Sequence, residues 1–266
     1  MKSRKELVLD RKIVGMLSGD ALKAAEIILN DREAQSLQEY ANIVSIKRLH
    51  YNDHGPVHMR KVALNALIMV DLLDTAGIKL TLEKEDSGSI GDSRIAVLVA
   101  ALLHDIGMTV GRVNHESFGA MFAFPVIERT LVGVYSDNLP KRIVVRSMII
   151  EGIIGHMTTQ QVYSIEAGLI LIADGCDMEK GRARIPMMLN RASKVGDIHK
   201  YSASSIEKVK IERGDKRPIK ITVDMTASAG FFQVEEVLYR KIESSTVKPY
   251  IELYAGVIGR DLKRYL

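Results

Sequence analysis

The spacing of apolar residues changes once along the chain and divides it into a helical region and a mixed region. Up to about residue 195, apolar side chains recur every three or four positions, which predicts amphipathic helices. The predicted helices cover residues 22–29, 34–49, 57–76, 94–106, 116–131, 141–155 and 159–178. Residues 81–93, rich in glycine, serine and acidic side chains, are expected to form a surface loop.

The pattern after about residue 204 predicts strands. Residues 206–212 and 219–225 alternate apolar and polar positions on either side of the turn sequence Gly-Asp-Lys-Arg-Pro, which indicates an antiparallel pair. Residues 232–242 return to helical spacing, and residues 247–258 predict a further strand. The resulting order is strand–strand–helix–strand.

The predicted fold class is therefore mainly α, with a helical domain over residues 1–200 and a small α+β unit over residues 201–266. A sheet unit of this length is too short to bury both of its faces. We expect it to dock on the helical domain or on a second copy of the chain.

The composition indicates a reducing compartment. The 266 residues contain one cysteine, which excludes an internal disulfide framework. The first residues are charged, and no stretch reaches the roughly 18–20 apolar residues of a membrane span, so we expect a cytoplasmic protein without a membrane partner. The net charge of +4 is compatible with a small anionic substrate and does not imply a stable complex with nucleic acid.

Two adjacent ionisable residues, His104 and Asp105, follow nine apolar residues at 95–103, and Gly107 then provides a helix stop. Charge so close to a core-facing run must be compensated, because an unpaired buried charge is costly. A divalent metal would compensate it. A His–Asp pair hydrogen-bonded at the helix end is the alternative.

Further candidate ligands stand at the starts or ends of predicted helices: His58, His115, His156 and Asp174. A mixed set of imidazoles and carboxylates suits Mn, Fe, Ni, Co or Zn better than Mg or Ca, and does not choose among the five. Cys176 alone cannot form a multi-cysteine zinc site. For His156, capping of a helix C-terminus remains an alternative to metal binding.

The ordered series His … His-Asp … Asp, over roughly residues 50–185, resembles the HD superfamily of metal-dependent phosphohydrolases. His-Asp-Ile-Gly, here residues 104–107, is a frequent form of that family's central motif. The resemblance implies an HD-domain helical bundle with its metal site within residues 54–184. It assigns four residues to the first metal: His58, His104, Asp105 and Asp174. In the binuclear branch of the family, His115 and His156 would hold a second metal, with Asp105 bridging the two.

The activity implied is hydrolysis of a phosphodiester or a nucleotide phosphoester by metal-activated hydroxide, with Asp105 and His54 as the catalytic residues. His54 is alternatively a partner of a metal ligand, a phosphate contact or a turn residue. Basic residues that would bind the phosphate of a nucleotide-like substrate are Arg112, Lys180, Arg182 and Arg184. For the last three, a solvated helix end is the alternative. Position 108 is Met where some relatives have Lys, which weakens a cyclic-dinucleotide assignment.

Two other functions remain open. The first is a catalytically silent HD module that binds a nucleotide or phosphorylated ligand, and the second is a regulatory protein with a structural metal site. The presence of all the expected ligands argues against a silent module. Because some similar HD proteins oligomerise through such a C-terminal unit, we expect a homodimer.

Overall fold

The computed structural model describes residues 2–180 and 198–266, and its first region is helical as predicted. Nine helices precede residue 181 in the described part: α1 Arg4–Gly15, α2 Gly19–Leu29, α3 Arg32–Ile43, α4 Pro56–Thr75, α5 Thr81–Lys84, α6 Ile90–Leu103, α7 His115–Tyr135, α8 Leu139–Ile154 and α9 Ile165–Cys176. A π-helical turn, Val44–Arg48, continues α3, and a 3₁₀ turn, Ile106–Thr109, follows α6. The mainly-α fold class is therefore confirmed.

Helix α6 occupies the centre of the bundle. Every residue from position 95 to 103 is buried, because α6 packs against α2, α4, α8 and α9. This environment explains why the sequence is apolar all round the helix rather than on one face. The C-terminal end of α6 consequently lies in the interior of the fold.

The predicted surface loop at 81–93 is wrong in part. It contains the short helix α5 and the first turn of α6, which begins after the capping residue Ser89. Leu82 is buried, and the backbone N–H groups of Thr81 and Leu82 donate to the carboxylate of Glu166 on α9. The acidic and glycine residues of this stretch gave no indication that its backbone would be hydrogen-bonded to α9.

The start of α9 and the N-terminal helix also differ from the prediction. Helix α9 starts at Ile165 rather than at residue 159, because the Ser164 side chain accepts a hydrogen bond from the N–H of Ala167 and caps the helix there. Helix α1 was not predicted. It begins with a reciprocal cap between Ser3 and Glu6, and its Asp10 pairs with the buried Arg60 of α4.

The C-terminal unit contains a four-stranded sheet in the order β1-β2-β3-β4. The elements are α10 Ile198–Ser205, β1 Ile206–Arg213, β2 Ile219–Met225, β3 Ile251–Val257 and β4 Lys263–Arg264. Strands β1 and β2 are antiparallel, as predicted, whereas β2 and β3 are parallel. Strand β4, which was not predicted, has two residues and pairs with β3.

A crossover helix connects the parallel strands β2 and β3. It is α-helical at Gly230–Gln233 and Arg240–Glu243 and π-helical at Val234–Tyr239 between them. A parallel pair needs such a connection, because a tight turn can join only antiparallel neighbours. The crossover helix packs against α9, and it therefore reaches the helical domain.

The sheet docks on the helical domain through one face. Its inner side chains, among them Ile221, Val223 and Leu253, belong to the same buried apolar cluster as α4 and α6. The outer face is polar: Lys210 pairs with Asp224 at 2.7 Å across β1 and β2. The predicted homodimer through this unit stays a prediction.

Among the described helices, α7 has the length and apolar composition that a membrane span would need. In the fold it packs against α2 and α8. Its charged residues Glu128 and Arg129 pair with Arg146 and Asp31 of neighbouring elements. A helix packed inside a bundle can be as apolar as a membrane span, and the contacts of α7 agree with the bundle.

Glu166 offers a test of the packing that places α9. The buried carboxylate accepts hydrogen bonds from Ser93 Oγ at 2.7 Å and from two backbone N–H groups at 3.2 Å. In Glu166→Gln an amide NH2 would face one of these donors, which should lower the free energy of unfolding by about 1–3 kcal/mol. Urea unfolding measures this. The exposed substitution Glu26→Gln should stay within about 0.5 kcal/mol of wild type, and an equally small loss for Glu166→Gln would contradict the assignment.

Candidate metal centre

Gly107 brings the end of α6 against the start of α7. A Cβ atom at this position would lie 1.9 Å from the carbonyl oxygen of His115 and 2.5 Å from the N of Gly119, so only glycine fits. Asn114 adopts the left-handed conformation (φ 55°) that turns the chain into α7. The His-Asp-Ile-Gly sequence therefore serves two purposes: it supplies His104 and Asp105, and it places His115 beside them.

The first group of donor atoms surrounds Asp105 Oδ2. His58 Nε2 and His104 Nε2 each lie 3.3 Å from this oxygen and 3.2 Å from each other. Asp174 Oδ1 approaches His58 Nε2 to 3.2 Å and His104 Nε2 to 3.8 Å. All four side chains are buried, and they come from α4, α9 and the end of α6.

The second group surrounds the other oxygen of the same carboxylate. His115 Nε2 and His156 Nε2 both lie 3.4 Å from Asp105 Oδ1, and 3.1 Å from each other. His115 begins α7, and His156 follows the C-terminal end of α8. Asp105 thus faces two separate pairs of imidazoles, one with each oxygen.

The orientation of the imidazoles follows from the hydrogen bonds of their other nitrogens. Nδ1 of three histidines meets a backbone carbonyl oxygen: His104 with Ala101 at 2.8 Å, His115 with Arg112 at 2.9 Å and His156 with Ile153 at 2.7 Å. Because a carbonyl can only accept, each Nδ1 donates a hydrogen bond to it, and Nε2 is the nitrogen that each ring directs towards Asp105. Burial lowers the pKa of His156 to about 4, so this ring is neutral at pH 7.

This donor set fits metal ions. Nε2 atoms of neighbouring histidines converge at 3.1–3.2 Å. Among the described residues, the buried Asp105 Oδ2 has no hydrogen-bond partner. Cations placed among these atoms would satisfy both features, because imidazole nitrogen and carboxylate oxygen are ligands of divalent transition metals.

Comparison with known proteins agrees with this geometry. The family model described as HD domain matches residues 57–179, a range that contains every residue of both groups. An uncharacterized protein of Methanocaldococcus jannaschii is 37% identical over 249 residues, which cover 94% of each chain. The chain belongs to the HD-domain family. No solved structure matches it.

The HD domain holds its ligands in place with partners that the sequence analysis missed. His58 Nδ1 donates to Asp177 Oδ2 at 2.7 Å, and Lys61 Nζ donates to Asp177 Oδ1 at 2.9 Å. The signal was available, since Lys61 follows His58 by one helical turn and Asp177 follows Asp174 by the same interval.

A further missed partner, Lys241, comes from the crossover helix, outside the residues that the HD model matches. Lys241 Nζ donates to Asp174 Oδ2 at 2.6 Å and to the carbonyl oxygen of His156 at 2.7 Å. Such a contact has no local pattern in the sequence, because 67 positions separate Lys241 from Asp174.

Both carboxylates of the HD centre are ionised despite their burial. Burial alone raises the pKa of Asp105, but the surrounding imidazoles, His104 first and then His54, hold it well below the usual range. Burial likewise raises the pKa of Asp174, and Lys241 makes the largest opposing contribution, so that this pKa too lies well below its usual range.

The remaining predicted site residues divide into near and distant ones. His54 is half-buried, its ring centre is 5.9 Å from that of His58, and Nδ1 contacts the Asn52 carbonyl at 2.6 Å and Ser45 Oγ at 2.9 Å. Arg112 Nη1 lies 3.4 Å from His115 Nε2, at the second group. Lys180 instead forms an exposed ion pair with Glu207. Arg182 and Arg184 lie outside the described residues.

Removal of divalent metal should destabilise the folded protein, because the unfolded chain does not assemble these ligands. At a metal concentration about a hundred times Kd, binding contributes about 2.7 kcal/mol, which corresponds to a loss of roughly 5–10 °C in Tm on chelation. Differential scanning calorimetry with EDTA and with Mn²⁺ added back measures this. His50→Asn, an exposed change outside both groups of donor atoms, should show the same loss as wild type. An Asp105→Asn protein that responds like wild type would contradict metal binding at this centre.

Proposed function

We propose that the protein hydrolyses a phosphodiester or a nucleotide phosphoester with a pair of divalent transition-metal ions. The observation that carries the proposal is the position of Asp105, whose two oxygens face two different pairs of histidines. One carboxylate placed in this way suits two adjacent ions, whereas a single ion would leave one histidine pair without a function.

Each ion would have its own ligands and would share Asp105. His58, His104 and Asp174 complete the first set, and His115 and His156 complete the second. Mn, Fe, Ni, Co and Zn all accept such ligands. When bound, a pair of ions supplies a hydroxide nucleophile near neutral pH and neutralises charge on the phosphoryl oxygens.

The chain's own residues would orient the substrate and move a proton. Arg112 lies beside the second ligand group, where its guanidinium would bind a phosphate oxygen. His54, oriented by Asn52 and Ser45, would exchange a proton with the substrate at Nε2. Lys180 would have to leave Glu207 in order to bind phosphate, so we assign the main phosphate contact to Arg112.

The reaction can be tested with bis(p-nitrophenyl) phosphate and p-nitrophenyl phosphate in the presence of Mn²⁺. We expect turnover of at least one ester, and the preferred ester distinguishes a diesterase from a monoesterase. Asp105→Asn should lower kcat/KM at least about a hundredfold, because it removes the shared ligand. His50→Asn should keep wild-type activity.

Hydrolysis that survives Asp105→Asn would assign the activity to another site or a contaminant. Bound metal without turnover of either ester, or of a panel of nucleotides, would instead favour a silent HD module. A nucleotide that raises Tm without being hydrolysed would support that alternative.

The number of ions gives an independent test. We expect wild type to hold about two ions per chain, and His58→Ala and His115→Ala each to hold about one, since each variant damages a different ligand set. Inductively coupled plasma mass spectrometry after gel filtration measures the content. A wild-type content of one ion that His115→Ala leaves unchanged would contradict the binuclear arrangement.

A further inference from the structure

The C-terminal unit contributes a buried cation to the metal centre. Lys241 is 5% exposed, and its ammonium group lies between a ligand of the first group, Asp174, and the backbone of a ligand of the second, His156. We propose that Lys241 is a positioning residue for both ligand groups, so that the C-terminal unit is part of the metal centre. The inference rests on the proposed function only in requiring that the centre bind metal.

The contacts of Lys241 determine which oxygen of Asp174 is available to a metal. Lys241 Nζ engages Oδ2 at 2.6 Å, while Oδ1 faces His58 Nε2 at 3.2 Å. The ammonium would therefore leave Oδ1 as the oxygen that Asp174 offers to a metal. Its second bond, to the carbonyl oxygen of His156 at 2.7 Å, joins α9 to the chain that follows α8 and fixes the spacing of the two ligand groups.

Two glycines of α9 allow the C-terminal unit to approach closely enough for these contacts. A Cβ atom at Gly175 would lie 3.0 Å from Lys241 Cδ and 3.2 Å from Leu238 Cδ1. A Cβ atom at Gly168 would lie 2.4 Å from Thr246 Oγ1 and 2.6 Å from Ser245 Oγ. Seven residues separate the glycines, which places them on one face of α9. The absence of side chains at these two positions leaves room on this face for the crossover helix and the turn after it.

The docked turn is also bonded to α9. Ser245 Oγ donates to the carbonyl oxygen of Gly168 at 3.1 Å, and Thr246 Oγ1 donates to that of Ser164 at 2.7 Å. Both carbonyls belong to the N-terminal part of the helix that ends near Asp174. These bonds hold the unit in the position from which Lys241 reaches its two acceptors.

A second connection runs from the sheet to His58. The backbone N–H of Val209 in β1 donates to Glu179 at 3.2 Å, and Glu179 pairs with Lys61 at 2.9 Å. Lys61 in turn donates to Asp177, which accepts from His58 Nδ1. The C-terminal unit thus supports the first ligand group from two sides, through Asp174 and through His58.

The test compares Co²⁺ binding by full-length variants. Lys241→Met removes the charge and keeps most of the side-chain length, Lys241→Arg keeps a cation, and Lys248→Met removes an exposed lysine of the same unit. Visible absorption of bound Co²⁺ reports both affinity and coordination geometry, and neither readout requires a substrate.

We expect Lys241→Met to weaken Co²⁺ binding at least about tenfold and to change the Co²⁺ absorption band, because removal of a partner that orients a ligand commonly costs about ten- to a hundredfold in metal affinity. Lys241→Arg should recover most of the affinity, and Lys248→Met should match wild type. If Lys241→Met does not fold, Lys241→Gln, which keeps hydrogen-bond donors, is titrated instead with the same expectation.

Wild-type affinity and absorption in Lys241→Met would overturn the proposal. So would an equal loss in Lys248→Met, because the effect would then belong to the unit in general. A wild-type protein that binds no Co²⁺, Mn²⁺ or Zn²⁺ would overturn the proposed function itself. Normal metal binding with no phosphoester hydrolysis would overturn that function and leave the role of Lys241 supported.

Discussion

The structure depends on the convergence of imidazole nitrogens and carboxylate oxygens at one buried point. The ends of α6, α8 and α9 and the starts of α4 and α7 all meet there. Lone pairs and negative charge in a protein interior are unfavourable unless a cation or a donor compensates them. This packing therefore needs positive charge at the centre, which lysine side chains supply in part and which divalent metal ions would complete.

The distribution of charge around the centre shows how the compensation is shared. Two of its carboxylates have a cationic partner, since Lys241 pairs with Asp174 and Lys61 pairs with Asp177. The carboxylate that faces both ligand groups, Asp105, has histidines around it instead. Lys241 and Lys61 reduce the free-energy cost of burying Asp174 and Asp177. The negative charge of Asp105 instead faces the two groups of histidines. This division concentrates the remaining negative charge where cations would bind.

The sequence predicted the features that leave a local pattern. Long apolar runs that end in His or Asp identified His104 with Asp105, His156 and Asp174, because a polar residue at the end of a buried helix stands out from its neighbours. His58 and His115 stand at predicted helix starts instead. Partners that act through space left no such pattern, and Lys241 was missed for that reason. The same limit affected the fold: Leu82 lies in an acidic, glycine-containing stretch, and its backbone N–H is bonded to Glu166, 84 positions away.

The continuity of the core changes how the predicted boundary near residue 200 should be understood. Side chains of the sheet and of the helices form one apolar cluster, and the crossover helix inserts Lys241 among the metal ligands. Burying an ammonium group carries a desolvation cost that only its hydrogen-bond acceptors offset. A unit that only mediated assembly would not need such a group beside a metal ligand. Since both acceptors of Lys241 belong to the centre, the C-terminal unit and the HD domain are energetically coupled through the residues that would bind the metal.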